Sequence, residues 1–462
     1  MEKNTPSFQR RDRTPSLKAI FVNMGWLLGG RGVAAVLSLL YIAVITRTLG
    51  LVGFGQFSLV VGTGQTIAAL VGFQTWQVIV RYGMAHLHEQ RPLALVRLVK
   101  TCLLLDVTAA MIGSLLALAA ILLLSGHFGW SAELRSYGLL FCVATLLGAR
   151  STSVGVLRLY DRFGVAAVAD TALPICRLVG AATVWAVSPR VESFLLAWVV
   201  ADLLSSLAFW GFALGILRHL PWRAGRFSWH EVRIENPEIL RLVLVTNASQ
   251  TFDLTGKQVA VLLVGFFAST AAAGGFRLAH QLGQAMAKIG QLLARALFPE
   301  LMRARTAAGT DDFARLLKRS TRTAALFGGA VLMLLLVAAR PLLSAIAGPA
   351  FEHTYPLLIL LGAAAVVDLI GVAFEPALIA SGHAGQAFRI RLFTALLRVA
   401  LITLGLTELG TIGAPLAMLI GSLTEFTLMA IAVRRALGAR GPHVRKADAA
   451  LIEGVEEDVD TL

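Results

Sequence analysis

The sequence predicts an all-α, polytopic membrane protein of about twelve transmembrane helices, and three observations carry that reading. The 462 residues are 57% hydrophobic and only 15% charged, with a mean hydropathy of +0.74. A soluble domain needs roughly a quarter charged residues to cover its surface. Apolar runs of about twenty residues, the length that crosses a bilayer, recur along the whole chain. Lys and Arg gather on alternate connections between those runs, so the formal net charge of +14 reads as membrane topology rather than nucleic-acid binding.

The elements follow in order. Residues 1–19 are polar and basic and form a cytoplasmic N-terminal segment. The apolar run after them is too long for a signal-peptide core and reads as a first span. Spans are predicted at 20–46, 54–80, 98–124, 136–158, 164–188 and 193–217. A hydrophilic stretch, 219–241, holds Pro221 and Asn236-Pro237 and separates an N-lobe (20–218) from a C-lobe (242–435). Six more spans are predicted at 242–268, 272–297, 322–346, 356–380, 388–407 and 412–433. The tail, 436–462, starts basic, ends acidic and has no periodic apolar face, so disorder is expected. When basic residues toward the span ends are counted with the adjoining connection, the termini and the even-to-odd connections hold 30 of the 41, whereas the odd-to-even connections hold only Arg47, Arg135, Arg190 and Arg340. That asymmetry puts both termini in the cytoplasm.

Several chemistries are absent. Gly256-Lys257 lacks the spacing of a phosphate-binding loop, and neither an HExxH nor a GxSxG pattern occurs. Cys102, Cys142 and Cys176 stand singly in apolar segments and read as small buried hydrophobes. No cofactor and no metal are expected, and the protein is read as a transporter rather than an enzyme.

Function is sought instead in charges inside the spans, each of which costs about 2.5–3.5 kcal/mol at a helix centre on insertion scales. Besides those counted with the connections, seven basic residues lie there: Arg31, Arg150, Arg177, Lys257, Arg277, Lys288 and Arg398. Asp106, Asp170, Asp202, Asp253, Asp368, Glu375 and Glu425 accompany them. So many charges imply an aqueous cavity or buried ion pairs. Thr246, Gln250, Asp253 and Lys257 share one face of the seventh span. Arg277, Gln281, Gln284, Lys288, Gln291 and Arg295 stay within about 40° of one line on the eighth. Polar glue between helices is one reading of that stripe. The other is a cationic lining, built by Arg31, Lys257, Arg277 and Lys288 with Gln281 and Gln284, that receives an anionic solute. Asp253, Asp368 and Glu375 are candidate ion carriers. Glu375 precedes Pro376, which kinks a span, although pairing with a neighbouring Arg accounts for Glu375 equally well.

A family resemblance joins these readings. The segment Ile45-Thr46-Arg47-Thr48-Leu49-Gly50-Leu51-Val52-Gly53-Phe54-Gly55 resembles the first inter-helix turn of the Wzx-type oligosaccharide flippases. These form the polysaccharide transport family of the MOP superfamily, which also holds the MATE multidrug exporters. Arg340-Pro341-Leu342-Leu343, Gly348-Pro349-Ala350-Phe351 and Tyr355-Pro356-Leu357-Leu358 resemble the family's ninth-to-tenth connection. Ala380-Ser381-Gly382 and the run Gly410 to Ala417 resemble its tenth and twelfth helices. The likeness covers roughly residues 20–437. It implies two six-helix bundles around a central cavity and alternating access in a bacterial inner membrane. The implied cargo is an undecaprenyl-diphosphate-linked oligosaccharide, and a polymerase and glycosyltransferases of the same pathway are the implied partners. Two other classes remain: an ion-coupled multidrug exporter of the same superfamily, and a membrane glycan ligase or polymerase. The short outer loops weigh against an enzyme, and the net basic stripes weigh against a carrier of cationic drugs.

Overall fold

The computed structural model describes residues 17–223, 227–284 and 309–438; side chains 17–33 and most of those between 245 and 257 lie outside that description. Apolar length dictates the first element. Helix α1, Leu17–Val71, runs for 55 residues, about 80 Å if straight, against a hydrocarbon layer of about 30 Å. It therefore folds back, at Gly50, whose φ of 64° and ψ of −170° suit a residue without a side chain. Tyr41 and Phe57 prove the reversal. Both rings pack edge-on against Trp198, at 5.1 and 5.3 Å, although a straight helix would separate them by about 24 Å. The turn lies inside the motif that carries the family resemblance.

The second span continues after a break at 72–74 as α2, Thr75–His88. Helix α3, Pro92–His127, starts with Pro92, whose missing N–H is not needed in a first turn. The fourth span is also broken: α4, Ala132–Leu147, is capped by Ser131 Oγ accepting from Leu134 N at 3.0 Å, and α5, Ser151–Leu159, resumes after 148–150. Helices α6, Phe163–Val187, and α7, Val191–Leu217, complete the first six spans. The linker holds a short helix, α8, Trp229–Glu235.

Helix α9, Ile239–Phe267, and helix α10, of which 270–284 is described, lead into α11, Gly309–Ala347. The family-like ninth-to-tenth connection follows. Gly348 turns at φ 92°, Pro349 opens a 3-10 turn, and Pro356 sits in the first turn of α12, Tyr355–Ile370. The tenth span breaks before α13, Phe374–Ala380, so Pro376 lies in a first turn, where its ring costs no hydrogen bond. The chain therefore breaks just ahead of Pro376, at 371–373. Helices α14, Ala384–Leu409, and α15, Gly413–Gly438, pack so closely that a Cβ on Gly413 would lie 1.9 Å from the Gly405 carbonyl oxygen.

The described residues contain helices and no strand. Among the described residues, eight largely helical stretches are long and apolar enough to cross a membrane, and two of them, Ala34–His88 and Gly385–Ala436, each contain a reversal. Outward-facing Leu115, Leu123, Val187 and Val337 are largely exposed, as lipid-facing residues must be. The chain divides into two units, Met1–Thr255 and Gly256–Leu462. In the first, Val78, Ile79, Leu98, Cys102, Val156, Leu217 and Val232 share one core. Cys102 and Cys142 are buried and all three cysteines are free. The tail from 439 and the end of the predicted eighth span lie outside the described residues.

Candidate functional site

Buried charge identifies the site-forming residues in each unit. In the first unit, α3 carries Asp106 into an apolar environment, where it is 5% exposed. Three donors meet it. Thr75 Oγ1 lies 3.0 and 3.2 Å from the two carboxylate oxygens, and Thr152 donates from Oγ1 at 2.7 Å and from its backbone N at 3.1 Å. Thr75 is the first residue of α2 and Thr152 the second of α5. Both helices start beside Asp106 because their spans are broken there. Each start offers unpaired N–H groups and the positive end of a helix dipole. Asp106 and the two breaks thus form one arrangement.

Three other cations in this unit also meet partners. Arg177 on α6 meets Asp202 on α7 at 2.8 Å and stacks over Trp198. Arg150 donates to Ser205 Oγ at 2.5 Å and lies over Phe209. Arg158 covers Trp76 at 4.1 Å.

The second unit holds a polar cavity among α10, α12 and α15, lined by His280, Gly283, Gln284, Asp368 and Ser422 with apolar neighbours. Its volume, about 30 Å³, accommodates a water or two. His280 stacks on Phe276 and approaches Gln284 at 3.4 Å between nitrogens. On α14, Arg398 lies 2.8 Å from Glu425 and 3.5 Å from Asp368, and donates to Ser422 Oγ at 3.3 Å. Thr394 Oγ1 reaches Glu425 at 3.3 Å. Gly421 makes this possible: a Cβ there would lie 2.3 Å from Arg398 Cγ. Two carboxylates thus share one guanidinium beside the cavity.

The predicted site residues fall as follows. Arg277 is half-buried on α10 and donates to Gln258 at 2.5 Å. Gln281 and Gln284 are half-buried on the same helix, and Gln284 and Asp368 line one cavity. Glu375 pairs with Arg391 at 2.9 Å, away from that lining. The side chains of Arg31, Asp253 and Lys257, and the whole of Lys288, lie outside the described residues. Sequence reasoning passed over His280, which stands three residues after Arg277 and four before Gln284, about 60° around the helix from Arg277 and just off the stripe. No group of three His, Cys, Asp or Glu suited to a metal occurs among the described residues.

Comparison with known proteins settles the family. The family described as "Polysaccharide biosynthesis protein" matches residues 20–305, more than half of the chain. The chain belongs to the polysaccharide biosynthesis protein family. It is 26% identical over 354 residues to the inner membrane protein YghQ of Escherichia coli K12, a match covering 74% of this chain and 96% of that protein. Among solved structures it is similar to an inward-facing multidrug resistance MATE family transporter of the MOP superfamily. That likeness has a TM-score of 0.69 at 14% identity over 88% of this chain and 96% of the other. It is equally similar to the lipid II flippase MurJ in an inward closed conformation, with a TM-score of 0.69 at 13% identity, covering 90% and 89%. The chain has the fold of these transporters, and it is a multi-span membrane protein.

Proposed function

We propose that this protein is a flippase that moves an undecaprenyl-diphosphate-linked oligosaccharide across a bacterial inner membrane by alternating access, with both termini in the cytoplasm. Membership in the polysaccharide biosynthesis protein family carries the reading. The fold likeness to a lipid II flippase supports it. So does the mid-span cation Arg277, half-buried on a helix face that also bears Gln281 and Gln284.

In this reading Arg31, Lys257, Arg277 and Lys288 neutralise the diphosphate, which presents two to three negative charges and several acceptor oxygens. Charge-assisted hydrogen bonds from arginine grip two oxygens at once, while a lysine acts as a point charge. Gln281 and Gln284 supply neutral donors and acceptors to the sugar. Asp253 stands one helical turn before Lys257, so the substrate competes with it for that lysine. Permanent pairing of Asp253 with Lys257 is the plain structural alternative. Energy comes from an ion gradient or from downstream consumption of the product. Asp368 is the best placed of the candidate carriers, because it lines the polar cavity and its side chain is 46% exposed. The pairing of Glu375 with Arg391 favours a structural role for that residue.

Purified protein in liposomes tests the reading with three parallel assays: translocation of a lipid-linked oligosaccharide, efflux of a cationic dye, and glycosidic bond formation. Translocation alone is the expected result. Dye efflux without lipid movement would replace the flippase by an exporter, and product formation would replace it by an enzyme.

A further inference from the structure

The linker that precedes α9 is fastened to the first unit. Tyr82 Oη donates to the Pro237 carbonyl, and His86 Nε2 lies 2.9 Å from Asn236 Oδ1. Arg97 on α3 pairs with both Glu235 and Glu231. Lys100 Nζ donates to the Trp222 carbonyl at 2.8 Å, and Val232 is fully buried in the core. These contacts hold α8 beside the ends of α2 and α3. The apolar helix α7 ends at Leu217 and α9 begins at Ile239, so α8 lies between the ends of two spans.

The helical period separates the two faces of α8. At 100° per residue, Glu231, Glu235 and Val232 occupy an arc of about 100° that faces α3. Trp229, Arg233, His230 and Ile234 occupy the opposite arc of about 140°. All four are exposed, Ile234 to 68%. The charges sort the same way. Glu231 and Glu235 face Arg97, and Glu238 pairs with Arg241 at 3.4 Å. Arg218, Arg223 and Arg233 are exposed and, among the described residues, have no carboxylate partner. The outward surface is therefore apolar, aromatic and cationic, while the nearby acids are held in ion pairs, Glu235 turned in and Glu231 and Glu238 still exposed. An aromatic beside arginines at this depth matches a layer of anionic headgroups over acyl chains.

We propose that the outward face of α8 is a binding surface for anionic phospholipid: Trp229 and Ile234 enter the headgroup boundary while Arg218, Arg223 and Arg233 hold the phosphates. The surface anchors the first unit at that side of the bilayer, and it does not depend on what the protein transports. Trp222 differs from Trp229 in that its indole donates inward to the Leu217 carbonyl at 2.7 Å, so it does not sense the surface.

The test uses full-length protein in phosphatidylcholine vesicles containing rising fractions of brominated phosphatidylglycerol or, separately, brominated phosphatidylcholine. Bromine quenches nearby indoles, and subtracting the signal of Trp229→Phe isolates Trp229 from the other tryptophans. The brominated anionic lipid should quench this component about threefold more strongly at equal mole fraction. That preference should shrink in 0.5 M salt. In the triple variant R218Q/R223Q/R233Q it should fall to about one. These substitutions are on the exposed surface, and an unchanged thermal unfolding curve checks that the variant folds. Equal quenching by the two lipids, or a preference that survives in the triple variant, overturns the charge assignment. Quenching by neither lipid places α8 away from the bilayer and overturns the proposal outright.

Discussion

Replacing Arg398 by Met tests the buried charge network of the second unit. The guanidinium lies 2.8 Å from Glu425 and 3.5 Å from Asp368. At an effective dielectric of 20 these separations correspond to gross attractions of about 6 and about 5 kcal/mol. Desolvation of all three groups offsets most of that gain. Removing only the cation takes away the guanidinium that the two carboxylates share. Breaking a buried pair in this way costs about 3–5 kcal/mol. The Arg398 side chain is 26% exposed and that of Asp368 46%, so water screens part of the interaction, and about 3 kcal/mol is expected. For a unit of this size that is a fall of roughly 6–12 °C in melting temperature, read by loss of helical circular dichroism in detergent. The triple variant R398M/D368N/E425Q deletes the charges together and should recover to within about 1 kcal/mol of the parent. Arg398→Lys should fall between, because an ammonium group cannot fork between two partners. A loss below about 1 kcal/mol for R398M, or a triple variant as unstable as the single one, would refute the view that one guanidinium holds both acids.

Three further outcomes follow from the same structure. Reversing the charge at Arg31 or Arg277 should abolish glycan export in cells while protein levels stay unchanged. Normal export from a variant lacking both arginines would sink the cationic-lining reading. Asp106→Leu should destabilise the first unit by about 2–4 kcal/mol, since it strands the donors of Thr75 and Thr152. Asp106→Asn should cost less because it keeps an acceptor, and denaturant titration would rank the two. Reporter fusions after Arg226 and Gly438 should both give cytoplasmic signals, and a periplasmic signal at either site would overturn the topology.

The spans were legible because a bilayer leaves no freedom in apolar length: a run such as 98–124 has one physical reading. The Gly50 turn was legible through the motif around it. The breaks at 72–74 and 148–150 were not, because the glycines there look like any others among the 43 in the chain. Their cause, Asp106, lies on a third helix. Arg398 could be read from sequence only as a residue that pairs or reaches the interface. Its partners, 27 and 30 residues away on two other helices, depend on Gly421 leaving room for the arginine stem. The cationic stripe on the eighth span was visible as a period, yet His280, about 60° around the helix from its line, falls outside that period. The fastening of α8 rests on Tyr82, His86 and Arg97, about 140–155 residues distant, and no local pattern records such pairs.

The shared coordination of Asp106 also bears on biosynthesis. Thr75 leaves the ribosome before Asp106, but Thr152 follows 46 residues later, roughly 2–9 s at ordinary elongation rates. During that interval the third span carries a carboxylate that lacks two of its three donors, a poor state in which to be released into lipid. The insertion machinery should therefore retain the second and third spans until the fourth arrives, and then pass the three into the bilayer as a group. Stalling translation between residues 120 and 150 should leave the third span in contact with that machinery, and Asp106→Leu should free it early.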